Sequence, residues 1–226
     1  MAVFDMAGTT VDEDNVVYKT LMRAVNERGF DFTFEQVLDQ GAGKEKLQAI
    51  KSVLGLRNIE DHALADEIFQ RFLVLLEHAY QNLVVTEQPN TSEVFAALRA
   101  KGVAVVLNTG YNRGIAEGLV QKIGWEEGTH FDCLVTASDV ERNRPDPDMI
   151  FWAQKKLGIY DASQVLKIGD SKIDIEEGRN AGCRFSIGIT TGAHTENQLR
   201  EAHPDFVIHS LTELIPIIES RGSLTV

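Results

Sequence analysis

Three short polar clusters in this 226-residue chain carry side chains that could do chemistry: Asp5-Met6-Ala7-Gly8-Thr9-Thr10-Val11-Asp12, Asn108-Thr109-Gly110 and Gly169-Asp170-Ser171-Lys172-Ile173-Asp174. Carboxylates can attack an electrophile or hold a hard cation, and hydroxyls with backbone N–H groups can hold an oxyanion. Asp170 and Asp174 are four apart, so a helix would put both on one face. Taken singly, each cluster also reads as structure: Asp before Gly-Thr is a common turn, and Asp170 with Ser171 suits a helix cap.

What must position these clusters is an alternation of strands and helices. Residues 2–5 form an apolar run ending at Asp5, which predicts a buried strand. From about 86 onward helices are expected at 92–101, 112–123, 148–157 and 172–181, with strands at 103–107, 133–135, 165–168, 184–189 and 206–208 and a last helix after them. Such alternation means a mostly parallel sheet covered on both faces. All three clusters then fall at strand ends, the edge where open parallel sheets bind ligands.

Between these parts the pattern is helical. Tyr18, Leu21, Met22 and Val25 keep helical spacing, Thr33 with Gln36 offers a capping box, and Ile68, Phe69, Phe72, Leu75, Leu76 and Ala79 form an apolar face. The expected organisation is a doubly wound α/β core, residues 1–14 and 83–226, interrupted by an all-helical insert, residues 15–82.

Composition narrows the partners. A formal charge of −12 argues against a nucleic-acid binder, which needs clustered Lys and Arg, so a bound phosphate would occupy a small local site. Cys133 and Cys183 are too few and too far apart for a disulfide framework, and the six scattered histidines do not make a metal site. With no leader-like segment and no run of ~20 apolar residues, a cytoplasmic protein without membrane insertion is expected.

Together, and in this order, the clusters resemble those of the haloacid dehalogenase superfamily of aspartyl-nucleophile hydrolases, over essentially the whole chain. The resemblance implies a Rossmann-like core with a type 1 cap. It implies Asp5 as a nucleophile on phosphorus, and Mg2+ held by Asp5, the Ala7 carbonyl, Asp170 and, through water, Asp174. It further implies Thr109 as the hydroxyl that binds a phosphoryl oxygen and Arg144, followed by Pro145-Asp146-Pro147, as the basic residue that pairs with Asp5. Arg142 is two residues away and remains the alternative.

One departure is informative. Most phosphatases of this superfamily carry a second Asp two residues after the nucleophile, as the acid for an alkoxide leaving group; here that residue is Ala7. The segment Asp-x-Ala-Gly-Thr-Thr-Val-Asp, with Thr109-Gly110-Tyr111-Asn112-Arg113 and Arg144-Pro145, is similar to the phosphonoacetaldehyde hydrolases. In that family the leaving atom is carbon, and a cap lysine forms an imine with the substrate aldehyde that accepts the electrons of the breaking bond. Gly8, Thr9, Gly110, Tyr111 and Arg113 are the substrate-binding residues this resemblance implies.

Lys44, three residues after Gly41, has spacing similar to that family's imine-forming lysine, although Gln40 and Leu47 stand where the family has Met and His. Lys44 either forms the imine or holds the substrate's distal charge. Lys46 and Lys51 read as solvated helix charges, and a shift of two in register would make Lys46 the candidate. The expected activity is carbon–phosphorus cleavage in phosphonoacetaldehyde or a related phosphonate. The alternatives are a small-molecule phosphatase acting on phosphoglycolate or a sugar phosphate, and a catalytically weak phosphate-binding sensor. A homodimer through the cap is the implied partner, with Tyr18, Leu21, Met22 and Val25 either its surface or cap core.

Overall fold

The computed structural model describes residues 1–81 and 83–220. The chain opens with β1 (Ala2–Asp5) and a two-residue β2 (Val11–Asp12), then runs through α1 (Val16–Asn26), α2 (Phe34–Gly41), α3 (Lys46–Gly55) and α4 (His62–Gln81). It returns through β3 (Thr86–Glu87) and continues α5 (Thr91–Ala100), β4 (Val105–Thr109), α6 (Arg113–Ile123), β5 (Cys133–Thr136), α7 (Asp148–Leu157) and β6 (Leu166–Gly169). It closes with α8 (Lys172–Asn180), β7 (Phe185–Ile189), α9 (Glu196–Glu201), β8 (Phe206–Ile208) and α10 (Leu214–Ser220).

Six strands form one parallel sheet in the order β5-β4-β1-β6-β7-β8. β1 lies at its centre because its four residues are buried on both faces: Phe4 packs against Phe95 of α5, while Val3 joins the opposite cluster with Met149 and Ile150 of α7. Its neighbours β4 and β6 leave in opposite directions, so the sheet's switch point, where a crevice opens, coincides with Asp5. The register sets Asp5 beside Asn108.

The expected strand at 103–107 begins two residues later. The Val103 N–H closes the end of α5 on the Leu98 carbonyl, so that residue serves the turn rather than the sheet. The antiparallel pair β2–β3, where the chain leaves and re-enters the core, gave no periodic signal because two residues cannot show alternation.

The four helices between β2 and β3 pack on one another. Thr33 caps α2 as expected, its hydroxyl accepting from the Gln36 N–H while the Gln36 amide oxygen accepts from the Thr33 N–H. The α1 face of Tyr18, Leu21 and Val25 is buried among these helices, with Met22 partly so. Of the two readings of that stripe, core of the helical insert is therefore the one the burial supports. Among the described residues no helix is long and apolar enough to cross a membrane.

Leu21→Ala should therefore cost about 2–5 kcal/mol in urea denaturation, the loss expected from a cavity in a packed core, with no change in sedimentation. A variant of unchanged stability but altered association would return this stripe to an interface.

Candidate active site

Asp5 at the end of β1, Asp170 after β6 and Asp174 in the first turn of α8 each present a carboxylate oxygen within 4.8 Å of the others, and all three are buried. The turn after Asp5 is folded tightly on itself. The Met6 carbonyl accepts from the N–H groups of Thr9, Thr10 and Val11, and the Thr10 hydroxyl donates to the Asp5 carbonyl at 2.9 Å. Gly8 takes φ +85 there, and a Cβ on it would lie 2.4 Å from Asp170 Oδ2, so only glycine fits. Asp170 is held by the Ala193 N–H at 2.6 Å and the Thr9 hydroxyl at 3.2 Å.

Two buried cations answer these acids. Arg144 donates through Nη1 to Asp5 Oδ1 at 2.7 Å, with Asp174 Oδ1 2.9 Å from the same nitrogen, and through Nη2 to the carbonyl and side-chain oxygens of Asn108 at 2.7 and 2.8 Å. Lys167, pointing away from the apolar face of β6, donates to Asp174 Oδ1 at 2.7 Å and Asn108 Oδ1 at 2.9 Å, with Glu177 3.4 Å away. Glu177 lies one turn beyond Asp174 on α8 and accepts from the Asn108 amide at 2.9 and 3.0 Å.

Four buried carboxylates thus face two buried cations. Burial, then the neighbouring Asp174, pushes the Asp5 carboxyl above the usual carboxylate range; burial and then Asp5 push Asp170 well above it. Asp174 is the exception. Burial would raise it too, but Arg144 and Lys167 outweigh that and hold it low. The donors are all oxygen and the cluster is two positive charges short, so the residues fit a hard divalent cation.

The cap-side loop reaches directly into this cluster. The Gly43 carbonyl accepts from Arg144 Nη1 at 3.4 Å and its N–H donates to the Tyr18 hydroxyl at 3.0 Å. With φ +72, and a Cβ that would sit 2.3 Å from Ile173 Cγ2 and 2.5 Å from Ser171 Oγ, Gly43 is what lets the loop lie this close.

Of the two lysines that follow, Lys46 departs from the environment expected of it. Lys44 is half-buried and donates to Ser52 of α3 at 2.9 Å; burial lowers its pKa. Lys46, read as solvated, is buried at the start of α3. Its Nζ lies 4.9 and 4.8 Å from the ring centroids of Tyr18 and Tyr111, donating to the Lys44 carbonyl at 2.7 Å and approaching the Tyr18 hydroxyl at 3.4 Å. Burial pulls it down to about 8, against Asp5, the strongest of the groups that pull it back up. Counting along the chain from Gly41 does not reveal which way each side chain faces once Glu45 caps α3 and turns the backbone.

Thr109 is buried, its hydroxyl accepting from the Tyr111 N–H at 3.1 Å, while Asn112 caps α6. Gly110 packs on the cap loop, a Cβ there falling 2.7 Å from the Lys44 carbonyl. Arg113 is turned away: its guanidinium is bound by Asp139, the Leu134 carbonyl and Glu117, which corrects its placement among residues facing the substrate. Arg142 is exposed on Asp146 and Asp148, so of the two arginines Arg144 is the one on Asp5. Asn108 belongs to the second polar cluster of the sequence, whereas Lys167, Glu177, Glu13 and Tyr18 were not anticipated as site residues. A lysine inside Val165-Leu166-Lys167-Ile168 was the available signal, since a charge in a buried strand must have a partner.

Comparisons with known proteins give the family and the fold. The family model described as Haloacid dehalogenase-like hydrolase matches residues 2–188. Phosphonoacetaldehyde hydrolase of Bacillus cereus is 30% identical, covering 97% of this chain and 86% of its own length. A hydrolase from Pseudomonas syringae superposes with a TM-score of 0.85 at 18% identity, over 98% of this chain and 99% of that one. A phosphonoacetaldehyde hydrolase like protein from Oleispira antarctica gives 0.82 at 22% identity, over 97% and 91%.

Lys167→Met should destabilise the fold by about 3–5 kcal/mol in urea, because it strands Asp174 and Glu177 in the interior, whereas Arg142→Met should leave the midpoint unchanged. Equal midpoints for all three proteins would show that Lys167 is not needed to neutralise the cluster.

Proposed function

The chain belongs to the haloacid dehalogenase-like hydrolases, and from that membership we propose a Mg2+-dependent, phosphonatase-like hydrolase that cleaves the carbon–phosphorus bond of phosphonoacetaldehyde or a related carbonyl phosphonate. The observation that carries this reading is a pairing: Ala7 leaves the nucleophile loop without an acid, and the helical insert brings a buried amine, Lys46, against the ring of Tyr111 in the core. The similarity to phosphonoacetaldehyde hydrolases supports it.

In this reading residues 15–82 act as a cap over a core of residues 1–14 and 83–226. Asp5 and Asp170, with the Ala7 carbonyl and Asp174 through water, are the residues that would hold Mg2+, which when bound supplies the positive charge this cluster lacks. Arg144 orients the Asp5 carboxylate and neutralises the phosphoryl group. Thr109 and the backbone N–H groups leading into α6 receive its oxygens.

The neutral Lys46 amine adds to the substrate carbonyl and expels water as an iminium forms. An Asp5 oxygen attacks phosphorus, and the carbon–phosphorus electrons move into the iminium to give an enamine, so no acid is required at position 7. Protonation on carbon and addition of water then release the aldehyde and the amine, and a second water cleaves the aspartyl phosphate.

Borohydride added with phosphonoacetaldehyde should leave a two-carbon adduct on Lys46 by peptide mass mapping. Lys46→Arg should abolish both adduct and turnover, since arginine cannot form the imine, while Lys44→Arg retains most activity. An adduct on Lys44 instead returns the imine to the residue expected from its spacing. No adduct, with brisk wild-type hydrolysis of phosphoglycolate or a sugar phosphate, makes the protein a small-molecule phosphatase.

A further inference from the structure

Outside the carboxylate cluster the chain buries a second group of ionisable side chains, which the reaction above uses only through Lys46. Glu13, between β2 and α1, is 2% exposed. Its Oε1 accepts from the Tyr111 hydroxyl at 2.8 Å and its Oε2 from the Tyr80 hydroxyl at 2.9 Å. Tyr80 belongs to α4 of the insert and Tyr111 to the core loop before α6, so one carboxylate ties both sides of the cap junction. Over the face of the same Tyr111 ring rests the Lys46 amine, 4.8 Å from its centroid, with the Tyr18 ring at 4.9 Å.

We propose that Glu13 is a positioning residue for Lys46: by accepting the Tyr111 hydroxyl it fixes the ring on which the amine rests and sets how readily that amine gives up its proton. A phenol that donates to a carboxylate has a more electron-rich face, and a cation over that face is held more strongly, the more so away from water. The inference rests on Lys46 as the reactive amine of the proposed function, although its test needs no turnover.

The other charged and titratable groups around Lys46 are Asp5 on β1, Glu45 before α3, Arg144 after β5, and the hydroxyls of Tyr18 and Tyr111. Burial dominates, lowering Lys46 to about 8; Asp5, Glu45 and Glu13 pull it back up and Arg144 pushes it further down. Around Glu13 stand Tyr111, Tyr80, Lys46 and the Val17 backbone, and burial raises its carboxyl to about 7 against all four. Above about pH 7 Glu13 is therefore ionised and helps keep Lys46 protonated. Removing its charge must lower the pH at which Lys46 becomes a free amine.

Reductive methylation with formaldehyde and cyanoborohydride reads this directly. A cavity of about 230 Å³, lined by Lys46, Phe69, Phe72, Gly110 and Ile115 among others, adjoins this residue, and the reagent is small enough to enter it. Labelling of Lys46, followed by peptide mass spectrometry over a pH series with exposed Lys51 as internal standard, should be half-maximal near pH 8 in the wild type. In Glu13→Gln the midpoint should fall by roughly half to one unit, making labelling at neutral pH about three to five times faster. Tyr111→Phe keeps the ring but not the hydrogen bond, and should shift the midpoint in the same direction.

An unchanged Lys46 midpoint in a folded Glu13→Gln protein would overturn the proposal and leave Glu13 as a brace for the junction. Should Glu13→Gln fail to fold, an unchanged midpoint in Tyr111→Phe would overturn it equally. Phosphonoacetaldehyde turnover by the wild type judges the phosphonatase reading separately, so failure of one leaves the other standing.

Discussion

Burying Asp5, Asp170, Asp174 and Glu177 around one strand end is the constraint from which most of this structure follows. Carboxylates without water must find cations or take up protons. Arg144 and Lys167 neutralise half of the charge, and they are committed mainly to Asp5, Asp174 and Glu177. Asp170 is left with hydrogen bonds from Ala193 and Thr9 rather than an ion pair. The raised carboxyls of Asp5 and Asp170 are the consequence, and a bound divalent cation would reverse it. The sheet contributes by bringing β1 between β4 and β6, so that residues far apart in sequence meet at one edge.

The same constraint explains how the insert approaches the core. A loop carrying bulky side chains would separate the lysines from the carboxylates, whereas Gly43 allows its backbone to lie against Arg144, Ser171 and Ile173. Lys46 then enters beneath two tyrosine rings and is held by the field of Asp5, balanced against its own desolvation. A lysine drawn down to about 8 gives up its proton more readily than an ordinary one, and the neutral amine is the form that imine formation requires.

Much of this was legible in the residues. Short apolar runs closing on acids or hydroxyls located β1, β4 and β6 and with them Asp5, Thr109 and Asp170, because a buried strand and the ligand-binding edge of a parallel sheet are local signals. The Thr33–Gln36 box and the apolar face of α4 located the helices between them. Less accessible were facts of orientation. Nothing local tells that Lys46 rather than Lys44 lies under the tyrosines, that Arg113 turns to Asp139, or that α1 spends its apolar face inside the insert. Glu13 was hidden for the same reason, since its partners Tyr80 and Tyr111 lie far along the chain and meet it only after the cap junction closes. Lys167 was the readable omission: a charge within a buried strand announces a partner before the partner is known.

The proposed function places the phosphoryl group on one oxygen of Asp5, and the most direct measurement is whether it arrives there. Acid-quenching the Mg2+-loaded enzyme during turnover of phosphonoacetaldehyde, then reducing with borohydride, converts a phosphorylated aspartyl side chain to homoserine, which peptide sequencing by mass spectrometry locates. Homoserine at position 5, absent without substrate, is the predicted result. Steady release of phosphate with Asp5 unmodified, or homoserine at another aspartate, would contradict it.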